Sequence, residues 1–427
     1  MNVWIIQTGE QLPIRSGVRK MRTAVLADKL LERGHSVLWW ASTFEHQRKV
    51  MISKRDRNFN IAERYTVRVL RGCRYRKNVS LARYIDHQIV AIKFRLQSDR
   101  FPKPDIIVAA MPDHLLAYEA ACYAHKNGIP FIVDIRDLWP DIFLNRIKNL
   151  GLYRLGKLVL ARDFKLLTAL LSRADALAAV SRGYLQWGLD KAGRLQCPFD
   201  RVFYHGYNAY AKKAKNLNQK LYISDWLKGK EDQKAFIFIG TFGISYELEL
   251  VLDVARRFQE SGRTDICFVV AGTGEQFEMI SKKASGLENV ILPGWINKKA
   301  MESLLKIAYV GLVPCRSIEN TMPNKPFEYL SAGLPLINSL EGEMAELVDW
   351  YQFGLNYSPG DLEGLYACIE RLASDPALHG EMSNNSLEFF KKYGDADKIY
   401  DEYANHIEKV VEWKNSLENK IGAYNEY

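Results

Sequence analysis

Short, solid apolar runs alternate with amphipathic stretches along the front half of the chain. Val3–Gln7, Ser36–Trp40, Asp105–Ala110, Pro130–Asp134 and Ala176–Val180 read as buried strands. Between the first two, Met21–Arg33 puts Val25, Leu26, Leu30 and Leu31 on one helical stripe, and Gly34 follows as a stop. His114–Lys126 is the helix between the third and fourth strands. Uninterrupted apolar strands joined by helices predict a parallel sheet covered on both faces. Ala209–Gln219, rich in Lys and Asn and poorly periodic, predicts a linker. A second alternation then begins with Ala235–Gly240, helix Glu247–Glu260, Ile266–Ala271 and Val290–Leu292. It continues with helix Lys298–Ile307, Val310–Pro314, helix Pro326–Ala332 and Leu336–Ser339. The tail, Asp397–Glu418, is a long helix with Ile399, Tyr403, Ile407, Val410 and Val411 along one side. The fold class is α/β, with two doubly wound, Rossmann-like domains facing a cleft: residues 1–208 and 220–396, the tail helix about 397–427 being grouped with the first.

At 427 residues the chain is long enough for two domains with ample cores. No uncharged apolar run approaches the roughly 20 residues of a membrane span. The opening Met1–Gln7 lacks a basic flank and a cleavage site and reads as a strand, not a secretion signal. Six scattered cysteines without a C-x-x-C pair suit reduced thiols in a cytoplasmic protein. The net charge of +9 conceals an asymmetry: residues 1–210 carry 35 Lys/Arg against 18 Asp/Glu. The remainder carries 24 against 32. A basic front and an acidic back imply different partners, the front favouring anionic ones.

Four glycine-bearing turns follow predicted strands: the Pro13–Lys20 segment with Gly17, Gly240-Thr241-Phe242-Gly243, Gly272-Thr273-Gly274, and Gly294-Trp295. Such turns let backbone amides approach an anion, or simply permit tight packing. None is a G-x-x-x-x-G-K-[ST] loop or a full G-x-G-x-x-G, which argues against nucleotide hydrolysis and dinucleotide binding. The most informative segment runs from Glu319 to Ile337. A polar loop with Asn320, Pro323 and Asn324 enters a helix near Pro326 that stops at Gly333. Lys325 at the helix start suits a diphosphate, and Glu328, one turn on, suits a ribose diol or, equally, a surface acid complementing the helix dipole.

This segment resembles the retaining glycosyltransferases of family 4, which have the GT-B fold, and more closely the bacterial branch that builds O-antigen and capsule on a lipid carrier. The branch pattern P-x-K-x-x-E-Y-x-x-x-G-x-P-[VLI]-I is matched by Pro323, Lys325, Glu328, Tyr329, Gly333, Pro335 and Ile337. A D-x-R-D-x-W-P pattern is matched by Asp134-Ile135-Arg136-Asp137-Leu138-Trp139-Pro140. Weaker matches at Gly17, Gly34-His35-Ser36-Val37, Val180-Ser181 and Gly272-x-Gly274 extend the likeness over the whole chain, including a tail helix that crosses back to the first domain. Two positions depart from it. Asn320 stands where much of the family has a sugar-touching Glu, with Glu319 beside it. No Lys or Arg follows the Gly240 turn, so Lys325, with Arg316 or a front-domain Arg, has to supply the charge at the diphosphate.

The resemblance implies a nucleotide-diphosphate sugar as donor, a UDP-sugar in the first instance, and no metal or other cofactor. It implies a back domain that holds the donor through Gly240, Thr241, Gly243, Gly272, Gly274, Trp295, Ile296, Pro323, Asn324, Lys325 and Glu328. Lys325, Asn320, Glu319, Asp137 and Gly17 are the expected catalytic set. Arg19, His114, Arg136 and Asp137 are the expected acceptor contacts, the acceptor being a glycan on a polyprenyl diphosphate. Capping and mutual pairing are the competing reading for Arg136 and Asp137, and a capping or solvent-facing role is that for His114. Two basic-apolar helices, Leu81–Leu96 and Leu152–Ser172, point to peripheral attachment of a cytoplasmic protein to an anionic membrane face. They equally suit plain coverage of the sheet. A nucleotide-sugar epimerase on the same fold is one alternative class. A non-catalytic binder of nucleic acid or membrane is another, because Arg64–Lys77 interleaves aromatic and basic residues; no nucleic-acid-binding motif accompanies that run, and no nucleic acid is expected as partner.

Overall fold

The computed structural model describes residues 1–15, 18, 20–46, 48–77, 80–148, 153–208, 232–316 and 322–425. The expected linker at Ala209–Gln219 lies outside them. The chain divides into two compact units, one made of Met1–Phe203 with Tyr400–Tyr427, the other of Tyr204–Ile399.

Among the described residues, the first unit holds an eight-stranded sheet. Its spatial order is Arg201–Val202, Ala176–Ala179, Phe131–Ile135, Ile106–Ala110, Asn2–Ile6, Ser36–Ser42, Tyr65–Leu70 and Arg57–Ala62. Every pair is parallel except the last, an antiparallel hairpin at the edge. The central strands are buried on both faces, which is why they read as solid apolar runs. Trp4, Trp40 and Phe94 pack edge-on beneath the helices, with Trp4 stacked on Tyr123.

The hairpin corrects the reading of Arg64–Lys77 as a charged, aromatic surface run over its first half, while Arg71, Arg74, Arg76 and Lys77 beyond the strand are exposed. Tyr65, Val67 and Val69 are buried and alternate with Thr66 and Arg68, the period of a strand with one face inward. Arg68 is tied sideways to Asn58 and Gln97, so its charge belongs to the sheet edge. Similarly, Leu152–Ser172 is not one helix but two, Tyr153–Val159 and Ala161–Ser172. Leu167 and Leu171 of the second are fully buried and cover the sheet.

The second unit holds a six-stranded parallel sheet in the order Val290–Gly294, Ile266–Thr273, Lys234–Thr241, Val310–Val313, Leu336–Asn338 and Gly354–Asn356. Counted from its own first strand this is 3-2-1-4-5-6, the doubly wound order. The helix Ala396–Asn425 leaves this unit at Ile399 and continues in the first. There Tyr403 stacks on Phe203 at 4.3 Å, Glu408 accepts from Arg33 at 2.7 Å, and Lys414 reaches Asp175 at 2.6 Å.

Candidate active site

In an open parallel sheet, ligands settle outside the carboxyl ends of the strands where the strand order reverses. In the second unit that point lies between Lys234–Thr241 and Val310–Val313. The loops leaving the two strands are joined there. Glu247 N–H donates to the Pro314 carbonyl at 2.8 Å and Arg316 N–H to the Ser245 carbonyl at 3.0 Å. Helix Lys325–Ser331 then returns beneath the strand ends. It is pinned by Tyr329, whose buried hydroxyl accepts the Ile239 N–H at 2.9 Å.

This register lays the Lys325 side chain across Gly240. A Cβ at residue 240 would stand 2.0 Å from Lys325 Cε, so the glycine is there to let the lysine pass. The ammonium donates to the Tyr246 hydroxyl at 2.9 Å and lies 4.6 Å and 5.6 Å from the ring centres of Tyr246 and Phe238. Among the described residues, no carboxylate lies within ion-pair distance of it. A half-buried cation held by a phenol and two ring faces is prepared for an anion. Sequence reasoning missed Tyr246 and Phe238, since nothing in their spacing ties them to a lysine some eighty residues away.

The other expected donor residues fall into distinct places. Gly272 has φ +146°, and a Cβ there would meet the Gly240 carbonyl oxygen at 1.7 Å. A Cβ on Gly274 would meet the Phe242 carbonyl oxygen at 2.6 Å. These two glycines therefore allow neighbouring backbone segments to close up, whereas Gly243 has open space around it. Thr241 is exposed, Ile296 packs on the unit's core, and Trp295 is 74% exposed beyond the Val290–Gly294 strand. Pro323 and Asn324 are half-buried, and Asn324 Oδ1 has no hydrogen-bond partner among the described residues. Glu328 is only 5% exposed, which corrects the alternative of a surface acid serving the helix dipole. Glu319, Asn320, Gly17 and Arg19 lie outside the described residues.

In the first unit, Arg136 turns away from the acceptor role expected of it. Its guanidinium is buried, bonded to Asp134 at 2.9 Å through Nε, to Thr23 at 2.8 Å and to Glu10. Arg22 grips the same Asp134 with two bonds of 3.0 Å and donates to the Phe203 carbonyl at 2.8 Å. Burial pushes the Asp134 carboxyl up, but Arg136 and Arg22 outweigh it and hold it at about 2. The motif's first carboxylate and arginine thus fasten the sheet to the first helix. His114 is likewise buried, its Nε2 2.8 Å from Asp163 on the helix Ala161–Ser172. Asp137 stays half-exposed and accepts the Leu138 N–H at 2.9 Å. Trp139 stacks beside His87 at 5.8 Å and under Arg83 at 4.2 Å.

Known proteins place this architecture. Residues 223–389 match the family model described as glycosyl transferases group 1. The chain is similar in structure to HepE (Alr3699) of Anabaena in complex with UDP, at 13% identity and TM-score 0.65 over 96% of this chain and 99% of that one. The fold is GT-B. A trehalose-6-phosphate structure from E. coli bound with UDP-2-fluoro glucose aligns at 14% identity and TM-score 0.70, over 95% and 99% of the two chains. WaaG, a glycosyltransferase involved in lipopolysaccharide biosynthesis, aligns at 13% identity and TM-score 0.62, also over 95% and 99%. Among curated proteins no sequence match is found.

Proposed function

We propose that the protein is a retaining glycosyltransferase of family 4 that moves a sugar from a UDP-sugar to a lipid-linked glycan in cell-surface polysaccharide synthesis. The observation that carries the reading is the Lys325 ammonium, held over the strand-order reversal without a carboxylate partner among the described residues. The group 1 glycosyl transferase match and the UDP complexes of structural neighbours support the donor class. The motif resemblance of Pro323–Ile337 supports the family, and with it the O-antigen and capsule branch.

In this mechanism the diphosphate lies against Lys325, the ribose hydroxyls donate to Glu328, and the base takes the Gly294–Ile296 edge. Breaking the anomeric carbon–oxygen bond leaves an oxocarbenium-like sugar and a diphosphate whose new charge Lys325 offsets. The leaving phosphate oxygen accepts the proton of the incoming hydroxyl, so the front unit's part is to orient the acceptor. Asp137 is its half-exposed carboxylate for that task.

The donor assignment is tested by thermal shift with UDP-, GDP- and CDP-sugars. A UDP-sugar at a hundred times its dissociation constant should add about 2.7 kcal/mol of stability. The absence of a shift with all three would refute it. Glu328→Gln should weaken UDP binding by about 10–100-fold, the worth of a charged hydrogen bond to the ribose. Unchanged affinity would remove Glu328 from the donor site.

Membrane attachment belongs to the same reading. Among the described residues no helix is long and apolar enough to cross a membrane. Tyr153–Val159 buries none of its residues and exposes Leu155, Leu158 and Val159 beside Arg154 and Lys157. Leu81 and Leu96 are exposed at the two ends of helix Leu81–Gln97. With about 1 kcal/mol per basic residue near an anionic leaflet, flotation with anionic vesicles is expected at low salt and its loss near 0.5 M salt. A chain that stays unbound at low salt has a soluble acceptor.

A further inference from the structure

The hydrogen bond between Lys325 and Tyr246 has a direction fixed by chemistry. An ammonium only donates, so at 2.9 Å the phenol oxygen is the acceptor and its own proton points elsewhere. Among the described residues no group accepts that proton, the bond from Lys325 being the hydroxyl's one hydrogen bond there. The site therefore offers a ligand two adjacent donors, an N–H and an O–H. Accepting from a cation also polarises the O–H and makes it a stronger donor than a free phenol.

The phenol is also held still. The unit has one core on each face of its sheet, Ile237 and Val269 belonging to one and Phe236 and Phe268 to the other, and Tyr246 packs against both. Phe238 meets its ring edge-on at 5.0 Å. Its backbone N–H donates to the Gly243 carbonyl at 3.1 Å, and the residue pairs with Cys315 in an antiparallel bridge. Tyr246 is thus fixed from the loops of both strands at the strand-order reversal before a ligand arrives, the condition for a hydrogen bond that costs little reorganisation. Thr241 to Tyr246 contains no Lys or Arg, so a donor from this loop is a neutral one. A phosphate, with several acceptor oxygens on one centre, can use the ammonium and the hydroxyl together.

We propose that Tyr246 is a catalytic residue in its own right, whose hydroxyl donates a hydrogen bond to a phosphate oxygen of the donor beside the Lys325 ammonium. The bond strengthens as the diphosphate gains charge on breaking of the anomeric bond, and no proton leaves the phenol. The proposal rests on the glycosyl-transfer reading and adds a direct contact to the phenol's hold on Lys325. The test is a double-mutant cycle on the full-length chain, read by calorimetry with UDP as the diphosphate probe and uridine as the probe without phosphates. Tyr246→Phe keeps the ring between both cores and should weaken UDP about tenfold, the worth of a hydrogen bond to a charged group, with uridine unchanged. The same change in a Lys325→Ala background decides between the two roles. A phenol that only holds the lysine costs nothing further there, whereas one that touches the diphosphate should again cost several-fold. A ring-fluorinated tyrosine at position 246 gives a readout of opposite sign, because fluorine makes the hydroxyl a better donor and a poorer acceptor. At a pH where the phenol stays protonated, UDP should then bind at least as tightly as to the wild type. UDP binding weakened by fluorination, or unaltered by Tyr246→Phe in the Lys325→Ala chain, would overturn the proposal and leave Tyr246 a positioning residue. A wild type that binds no UDP would instead strike the glycosyl-transfer reading itself, and the proposal with it.

Discussion

Asp134→Asn should lower stability by about 3–5 kcal/mol, among the largest effects expected of any isosteric change in this chain. Asp134 is fully buried and pairs with both Arg22 and Arg136, with Arg22 almost as buried as itself. An amide of the same shape can still accept hydrogen bonds, but it leaves two guanidinium groups in the core beside the single carboxylate of Glu10 that Arg136 also reaches. The melting temperature should drop by on the order of 10 °C. The pH dependence carries its own sign. Asp134 in the folded chain is held at about 2, below its unfolded value, so its stabilisation is present above about pH 4 and is lost as pH falls through 2. The variant should lack that acid-side component. A variant that melts within a degree or two of the parent would mean that the arginines find other partners and that the cluster is not what joins the first helix to the sheet.

That cluster also shows where sequence and structure part. The D-x-R-D-x-W-P segment was visible as a motif after a strand, and its position at the carboxyl end of Phe131–Ile135 is as expected. Its residue roles were not visible, because burial decides them. Two positions apart, Asp134 and Arg136 fall on one face of an extended chain, but the knot they bury there needs Arg22, contributed from more than a hundred positions away. His114 is a similar case, paired with Asp163 across two helices. The sheets were legible because parallel strands buried on both faces leave uninterrupted Val, Ile, Phe and Ala runs. The edge hairpin was not, since arginines on its wet face hide the buried alternation of Tyr65, Val67 and Val69. In the back unit the Pro and Gly that bracket Lys325–Ser331 fixed the helix to within a residue. The crossing of Lys325 over Gly240 joins residues 85 positions apart and leaves no local trace.

Lys325→Ala should cut turnover by about a hundredfold or more at saturating donor, the loss expected when a positioned donor to developing negative charge is removed. The ammonium is held in place before any ligand arrives, by the Tyr246 hydroxyl at 2.9 Å and by two aromatic faces. Little reorganisation is then needed when the diphosphate gains charge, which is the condition for stabilising a transition state more than a ground state. The donor already carries a diphosphate, so binding should weaken too, but by less than turnover. Tyr246→Phe separates positioning from charge. It keeps the ring faces and the lysine while removing the 2.9 Å hydrogen bond, and a loss several-fold smaller than that of the alanine variant is expected. Stability offers no confounding term of the same size, since among the described residues Lys325 makes no ion pair whose loss would strand a buried carboxylate. A Lys325→Ala enzyme with parental turnover would move the leaving-group charge to another cation and leave Lys325 a packing residue over Gly240.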